Sequence, residues 1–356
     1  MREKWYALTA AVCTSCWLAQ LREVVPDDEL YGEDYGFRTG SSPEAVSYFA
    51  RLAADLKDKF GPRFTVEIGC NDGTLLQYFE SAGCLGVEPS AAAGDIGREI
   101  PVYREPFSRK LAAEIQDSHG SAGLVIACNV AAHVADPRDF LTGVRTLLAQ
   151  DGVAVIEFQD LAALIAGCQV DHVYHEHRFY YSLGSFSRLA NASGLRVFDW
   201  EHTPAQGGSL RVFLRRGNGV IAGEPWLEDM AMYAGMQDRA VYSKRKLLAL
   251  IGDEMNEARV IAGYGASAKS ATLLNWCKLS PRNISWVEDL TPGKIGRVTP
   301  GSHIRIHGPG TPWPGMKPST YLLTSWNYAG SMIRQNADFL ANGGRIIIPG
   351  AVPVLL

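Results

Sequence analysis

The sequence predicts an α/β protein of two units, each an open, largely parallel sheet covered by helices. Three observations carry this. Short apolar runs alternate with helical stretches: Phe64–Gly69, Cys84–Glu88, Gly123–Val130 and Gly152–Phe158, then 259–263, 284–288, 321–325 and 345–348. That alternation is the rhythm of β-α-β units. A long helical stretch from about Glu224 to Ala258 separates the two blocks. A chain of 356 residues also exceeds what one core usually organises.

Taken in order, the opening to Gly40 has few periodic segments and reads as an irregular lead-in. Ser42 as N-cap and Pro43 at the first helical position then start a helix whose apolar positions run from Ala45 to Leu56. Thr74–Ala82 reads as the helix after the first strand, and Asp136-Pro137 caps another that runs through Leu148. Leu195–Trp200 and Ser209–Arg215, separated by Gly207-Gly208, are expected to close the sheet with an antiparallel edge. In the second block Ser267–Cys277 and Tyr328–Asn342 read as helices. The expected division is 1–40, 41–244 and 245–356.

Composition excludes several classes. Hydrophobic content of 47% with 20% charge is ordinary for a folded globular chain. A net charge of -4 leaves no footprint for nucleic acid or an anionic membrane. No apolar run is long enough to span a bilayer, and Tyr6–Leu18 is too short and interrupted for a signal peptide. Of seven cysteines, Cys70, Cys128 and Cys277 sit in apolar segments and read as reduced thiols, which favours a cytoplasmic protein. Cys13 and Cys16 form a C-x-x-C, half of a zinc knuckle, with no second such pair.

Glu67-Ile68-Gly69-Cys70-Asn71-Asp72-Gly73 lies at the carboxyl end of the first long strand, where open α/β sheets bind ligands. Gly69 and Gly73 permit close backbone approach, and Asn71 tolerates left-handed geometry. The spacing is not the dinucleotide pattern, so a nucleoside without phosphates suits it better. Glu67 is placed to meet a cationic group, and Glu88, ending the next strand, to accept from ribose hydroxyls; otherwise both are solvated strand ends. This arrangement resembles a class I methyltransferase binding S-adenosylmethionine. Phe107 is then a candidate wall for the adenine, and Asn129 a candidate contact for the methionine part.

His133 follows the strand ending at Val130, on the same rim. Tyr174-His175-Glu176-His177 lies beyond the fifth strand and concentrates groups that exchange protons near neutral pH. Its H-x-H spacing also admits a metal reading, although no further ligands are recognisable.

Over nearly its whole length the chain resembles the sugar C-methyltransferases that act on nucleotide-linked 4-keto-deoxysugars. The resemblance rests on Cys13–Cys16 with Ala19-Gln20-Leu21, Glu33-Asp34-Tyr35, Glu67–Gly73, Asn129 with His133, and Tyr174–His177. Gly207-Gly208-Ser209-Leu210-Arg211-Val212 and Gly263-Tyr264-Gly265-Ala266-Ser267-Ala268-Lys269 follow, with Asp289, Lys294 and 299–303. It implies a zinc-type N-terminal module, a methyltransferase core, and a C-terminal Rossmann-like domain that helps hold a sugar nucleotide, typically dTDP-linked. His177 becomes the base, Glu176 its orienting neighbour, Tyr174 and His133 supports for the enolate, and Tyr35 an aromatic reaching the site. Tyr264, Lys269 and Arg297 are expected on the sugar nucleotide. The family's zinc module uses two cysteine pairs, and this chain reads as beginning after the first. Phe37 stands where a second tyrosine is common, and Gln206 where a histidine is frequent. A monomer or weak homo-oligomer is expected. An O- or N-methyltransferase with a different acceptor would use the same cofactor loop.

Overall fold

The computed structural model describes residues 3–31, 36–62, 64–80, 83–97, 99–309 and 317–356. Its centre is a seven-stranded sheet in the order β5-β4-β3-β6-β7-β10-β9. The strands are β3 (Thr65–Ile68), β4 (Cys84–Val87), β5 (Val102–Tyr103), β6 (Ala122–Cys128), β7 (Leu148–Gln159), β9 (Leu195–Thr203) and β10 (Ser209–Arg216). Pairing is parallel from β5 through β7, and β10 runs antiparallel to both of its neighbours. The antiparallel closure expected around Gly207-Gly208 is therefore the edge that forms.

This sheet is buried on both faces, and strand alternation shows it. In β6, Leu124 and Ile126 join one core while Val125 and Ala127 join the other; in β7, Val153 and Val155 oppose Ala154, Ile156 and Phe158 in the same way. Residues of period two point to opposite faces, so a strand covered on both sides must be apolar throughout.

The helix Pro43–Phe60 covers the second of these cores. Ser42 accepts from the Ala45 amide, Pro43 occupies the first turn, and Gly61 ends the helix in left-handed geometry at φ 51°. Its inner face buries Phe49, Leu52, Ala53 and Leu56, and each buried leucine contributes roughly 2 kcal/mol. Where a helix was expected over 74–82, the described residues 74–80 form a short 3-10 turn, Leu76–Tyr78. Phe79 leaves it in extended geometry (φ -102°, ψ 158°) and packs into the same core as Leu56. So few residues do not offset the cost of helix nucleation, and burial of that ring decides the outcome.

Two smaller sheets flank the centre. β1 (Ala10–Val12) and β2 (Ala19–Leu21) form a hairpin inside the lead-in, and β2 pairs with β8 (Phe179–Tyr180), just after the Tyr-His-Glu-His run. The C-terminal sheet has the order β13-β12-β11-β14-β15-β16. It comprises β11 (Ile261–Tyr264), β12 (Trp286–Glu288), β13 (Ile306–His307), β14 (Thr320–Leu323), β15 (Arg345–Ile348) and β16 (Val354–Leu355). The helix Met230–Asn256 leads into it. Among the described residues no helix is long and apolar enough to cross a membrane.

Candidate active site

In the central sheet the chain moves outward from β3 to β4 and β5, then returns to the other side of β3 with β6. Ligand sites in open α/β sheets form at such a reversal, beyond the carboxyl ends of the strands. Gly69 stands there at φ +70°, and a Cβ on it would lie 2.3 Å from the Val130 side chain. Only glycine fits, which brings the loops after β3 and β6 into contact.

The loop is braced by side chains singled out in the sequence. Glu88 accepts the Asn71 amide at 3.0 Å and the Ser90 amide at 2.8 Å. Asn71, left-handed at φ 51°, accepts from the Thr39 backbone through its Oδ1 at 2.9 Å. Asp72 accepts the Gly40 amide at 2.8 Å through Oδ2 and the Thr74 hydroxyl at 2.5 Å through Oδ1. A cleft of about 530 Å³ runs along the outer side of this loop, past Gly40, Asp72, Gly73, Thr74 and Ile96.

Glu67 differs from these braces. It is 4% exposed, and its Oε2 has no hydrogen-bond partner. Burial first, then the charges of Asp72 and Glu88, raise its carboxyl well above the usual range. Three acids converging on one loop, one with an unmet oxygen, fit a ligand that carries sulfonium and ammonium charge. Asn129, left-handed at φ 57°, closes the far side and donates its amide to the Glu157 carbonyl at 2.7 Å. Phe107 packs edge-to-face on Phe140 at 5.8 Å, over Gly143.

Beyond β6 and β7 lies a cluster of imidazoles and phenols. The Tyr174 hydroxyl is 2.7 Å from His177 Nε2, and the His177 ring also meets the His172 backbone. The His133 ring stands perpendicular to it at 5.0 Å and takes the Tyr31 hydroxyl at Nδ1, 2.8 Å away. Burial, then His133 and Lys269, hold His177 well below the usual histidine range. Burial and Arg178 lower His133 to about 4. Both rings are therefore neutral near pH 7 and able to accept a proton.

The neighbouring side chains of the motif go elsewhere. His175 Nε2 lies 3.2 Å from the Ala7 carbonyl, so the two histidines of the H-x-H diverge and do not share a metal. Glu176 is part-buried, and burial raises its carboxyl; among the described hydrogen bonds it makes none to an imidazole. Tyr35 lies outside the described residues, whereas Tyr31, which sequence reasoning passed over, reaches His133.

The C-terminal half closes the cluster from the other side. Lys269 is 8% exposed and donates to Gln206 Oε1 at 2.5 Å. Burial lowers it to about 8, with Asp171 opposing. Trp326 donates its indole N–H to Asp171 Oδ2 at 2.7 Å, and its ring lies 5.5 Å from His172. His172 is fully buried with neither ring nitrogen hydrogen-bonded. Burial, then Lys269 and His177, keep it well below the usual range. Asp171 and His172 abut the Tyr-His-Glu-His run, and that density of titratable groups was the available signal. Tyr264 instead meets Gln335 at 3.5 Å and stacks edge-on with Tyr321, and Arg297 is exposed on a turn. Neither has a described contact with the imidazoles.

At the N-terminus the Cys16 and Ser15 amides donate to the Cys13 thiol and hold it below its usual range, the turn geometry of a metal knuckle. Among the described residues no third metal-ligating side chain joins Cys13 and Cys16. A tetrahedral zinc site is not assembled from them, and no chemistry is assigned to zinc.

Comparison with known proteins agrees with the geometry. Residues 44–199 match a methyltransferase-domain family, and residues 204–353 match the C-methyltransferase C-terminal domain. The C-methyltransferase NovU of Streptomyces niveus is 32% identical over 366 residues, covering 98% of this chain and 87% of that protein. Among solved structures, an N1-methyltransferase acting on 1,6-didemethyltoxoflavin, from Burkholderia thailandensis, is 17% identical. It covers 56% of this chain and 95% of its own, at a TM-score of 0.41. With a cofactor loop fit for a sulfonium, two neutral imidazoles beside it, and a relative similar from end to end, the chain belongs to the S-adenosylmethionine-dependent C-methyltransferases.

Proposed function

We propose that the acceptor is a nucleotide-linked 4-keto-deoxysugar, taken as its dTDP derivative, and that the carbon beside the ketone is methylated. The observation that carries this reading is the Tyr174–His177 pair, a phenol on a buried neutral imidazole at 2.7 Å. S-adenosylmethionine, when held by Glu67, Glu88 and the backbone around Gly69 and Asn129, supplies an electrophilic methyl group. A carbon next to a ketone gives up its proton when the enolate oxygen is stabilised.

His177 takes that proton at Nε2. In the resting site the same nitrogen receives the Tyr174 hydroxyl, so an entering ketone draws Tyr174 away to donate to its oxygen. Lys269 adds positive charge on the C-terminal side of the cluster. His133, held by Tyr31, steadies the enolate, and Glu176 lies beside the base. Tyr35 and the sugar-nucleotide roles of Tyr264 and Arg297 belong to the same proposal. So do the division at 40 and 244, a cytoplasmic setting and a monomer or weak homo-oligomer. Free cysteines throughout the described residues agree with a reducing compartment.

The test is turnover with S-adenosylmethionine and a panel of dTDP-4-keto-deoxysugars, with the product followed by mass and NMR. In deuterated water without methyl donor, the wild type is expected to exchange the proton next to the ketone, and His177→Asn is not. A methyl found on oxygen, or exchange that persists in His177→Asn, would sink the carbon mechanism.

A further inference from the structure

Asp160, His202 and Glu224 come from three separate segments and take no part in the mechanism above. Asp160 follows β7 and caps the helix Leu161–Ala166. His202 lies near the end of β9, and Glu224 precedes the turn Pro225–Glu228. One ligand atom from each lies within 4.8 Å of the other two. His202 Nδ1 is 3.5 Å from Asp160 Oδ2.

The Glu224 carboxylate is incompletely satisfied, and Asp160 faces it from the end of β7. The Asp160 side chain is 3% exposed, and its Oδ1 accepts the Ala162 amide at 3.0 Å, which leaves Oδ2 to the cluster. Glu224 Oε2 is buried and has no hydrogen-bond partner. Among the described residues, no lysine or arginine forms an ion pair with either carboxylate. Two carboxylates brought this close with no lysine or arginine beside them, and with His202 neutral, repel each other, and a buried oxygen without a partner is costly. A divalent cation would answer both defects at once.

We propose that Asp160, His202 and Glu224 bind one divalent first-row cation, of the manganese or zinc class, with water completing its shell. Two hard oxygen donors and one imidazole suit such ions, and two negative charges balance one divalent cation. The role is structural. The ion ties the connector that leads into Met230–Asn256 to the end of β7. The Asp160 amide donates to the Gly208 carbonyl at 3.1 Å, so the same tie steadies the loop that carries Gln206.

The test uses the full chain, stripped with a chelator and titrated with Mn2+ while the signal of the free aquo ion is followed by electron paramagnetic resonance. Mn2+ is chosen because the Cys13 and Cys16 thiols favour zinc. One Mn2+ per chain is expected. Glu224→Gln, His202→Gln and Asp160→Asn should each weaken binding by roughly tenfold or more, and a Cys13→Ser/Cys16→Ser variant should not. Asp160→Asn keeps an acceptor for the helix cap, and Glu224→Gln alters one atom, so both should fold. The proposal is overturned if millimolar Mn2+ does not bind, or if it binds equally well to the Glu224→Gln and Asp160→Asn proteins.

Discussion

Two loops in this molecule use the same construction and differ in charge. After β3, Gly69 turns at φ +70°, and Glu88 of the neighbouring segment accepts the Asn71 and Ser90 amides. After β11, Gly265 turns at φ +97°, and Asp289 accepts the Ala266 amide at 2.6 Å and the Thr291 amide at 2.8 Å. In each, a carboxylate beyond the next strand pins the amides of the loop. The first loop then adds two acids, Glu67 and Asp72. The second adds two lysines: Lys294, 2.8 Å from the Ala266 carbonyl, and Lys269 in the first turn of Ala268–Trp276. The two loops share this bracing and differ in the charged side chains set around it; Lys294 also pairs with Asp289 at 3.6 Å. The imidazole cluster of His133 and His177 lies within reach of the Lys269 charge.

The largest effect expected belongs to that cluster. His177→Asn should lower turnover by roughly a hundredfold or more while a titration with S-adenosylmethionine stays unchanged. If both loops bind their ligands and the variant still turns over, the cluster is not where they meet.

Lys269→Met should cost about a hundredfold in kcat/KM through the lost positive charge. Its folded pKa is lowered to about 8, so the charge is present below that pH and is lost above it. The wild-type pH profile should therefore fall on its alkaline side near pH 8, and Lys269→Arg should move that limb upward, because arginine stays charged. An unmoved limb would take Lys269 out of the reaction.

The carboxylate braces give the sharpest paired test. Glu88→Ala and Asp289→Ala each strip the acceptor from two backbone amides, and each should cost about 1–3 kcal/mol in urea unfolding. Only the first should also weaken S-adenosylmethionine binding, and only the second should weaken binding of dTDP. Equal losses of both ligands would erase the contrast.

The smallest effect runs the other way. Folding raises the Glu67 pKa above its reference of 4.5, so the folded state favours the protonated acid. That contribution is complete below the reference value and is lost as pH rises through the folded one. Glu67→Gln does not titrate and should gain on the wild type as pH rises, by about 1 kcal/mol, while its affinity for S-adenosylmethionine falls. Unfolding at pH 5 and pH 8 separates the two effects.

Much of this was legible in sequence because the signals are local. Gly69 and Asn71 follow from one strand end and Glu88 from the next, and Tyr174 with His177 from one short run. Gly207-Gly208 marked the edge that β9 and β10 form. What sequence could not show depends on contacts across the fold: Trp326 meets Asp171 at a sequence separation of 155, and Tyr31 meets His133 at a separation of 102. The turn at Leu76–Tyr78 was missed for a different reason, since a buried ring overrode local helical preference.

The Gly207 turn carries one more consequence. A Cβ there would lie 2.8 Å from the Trp326 ring, and the adjacent Gln206 takes the Lys269 ammonium. Residues just before β10 are thus fitted to side chains more than sixty positions later. A hybrid enzyme joined at the long helix Met230–Asn256 would inherit the turn from one parent and its counterpart from the other. A crossover ahead of Pro204 keeps the turn with Lys269 and Trp326, and one ahead of Leu161 keeps Asp171 with Trp326 as well.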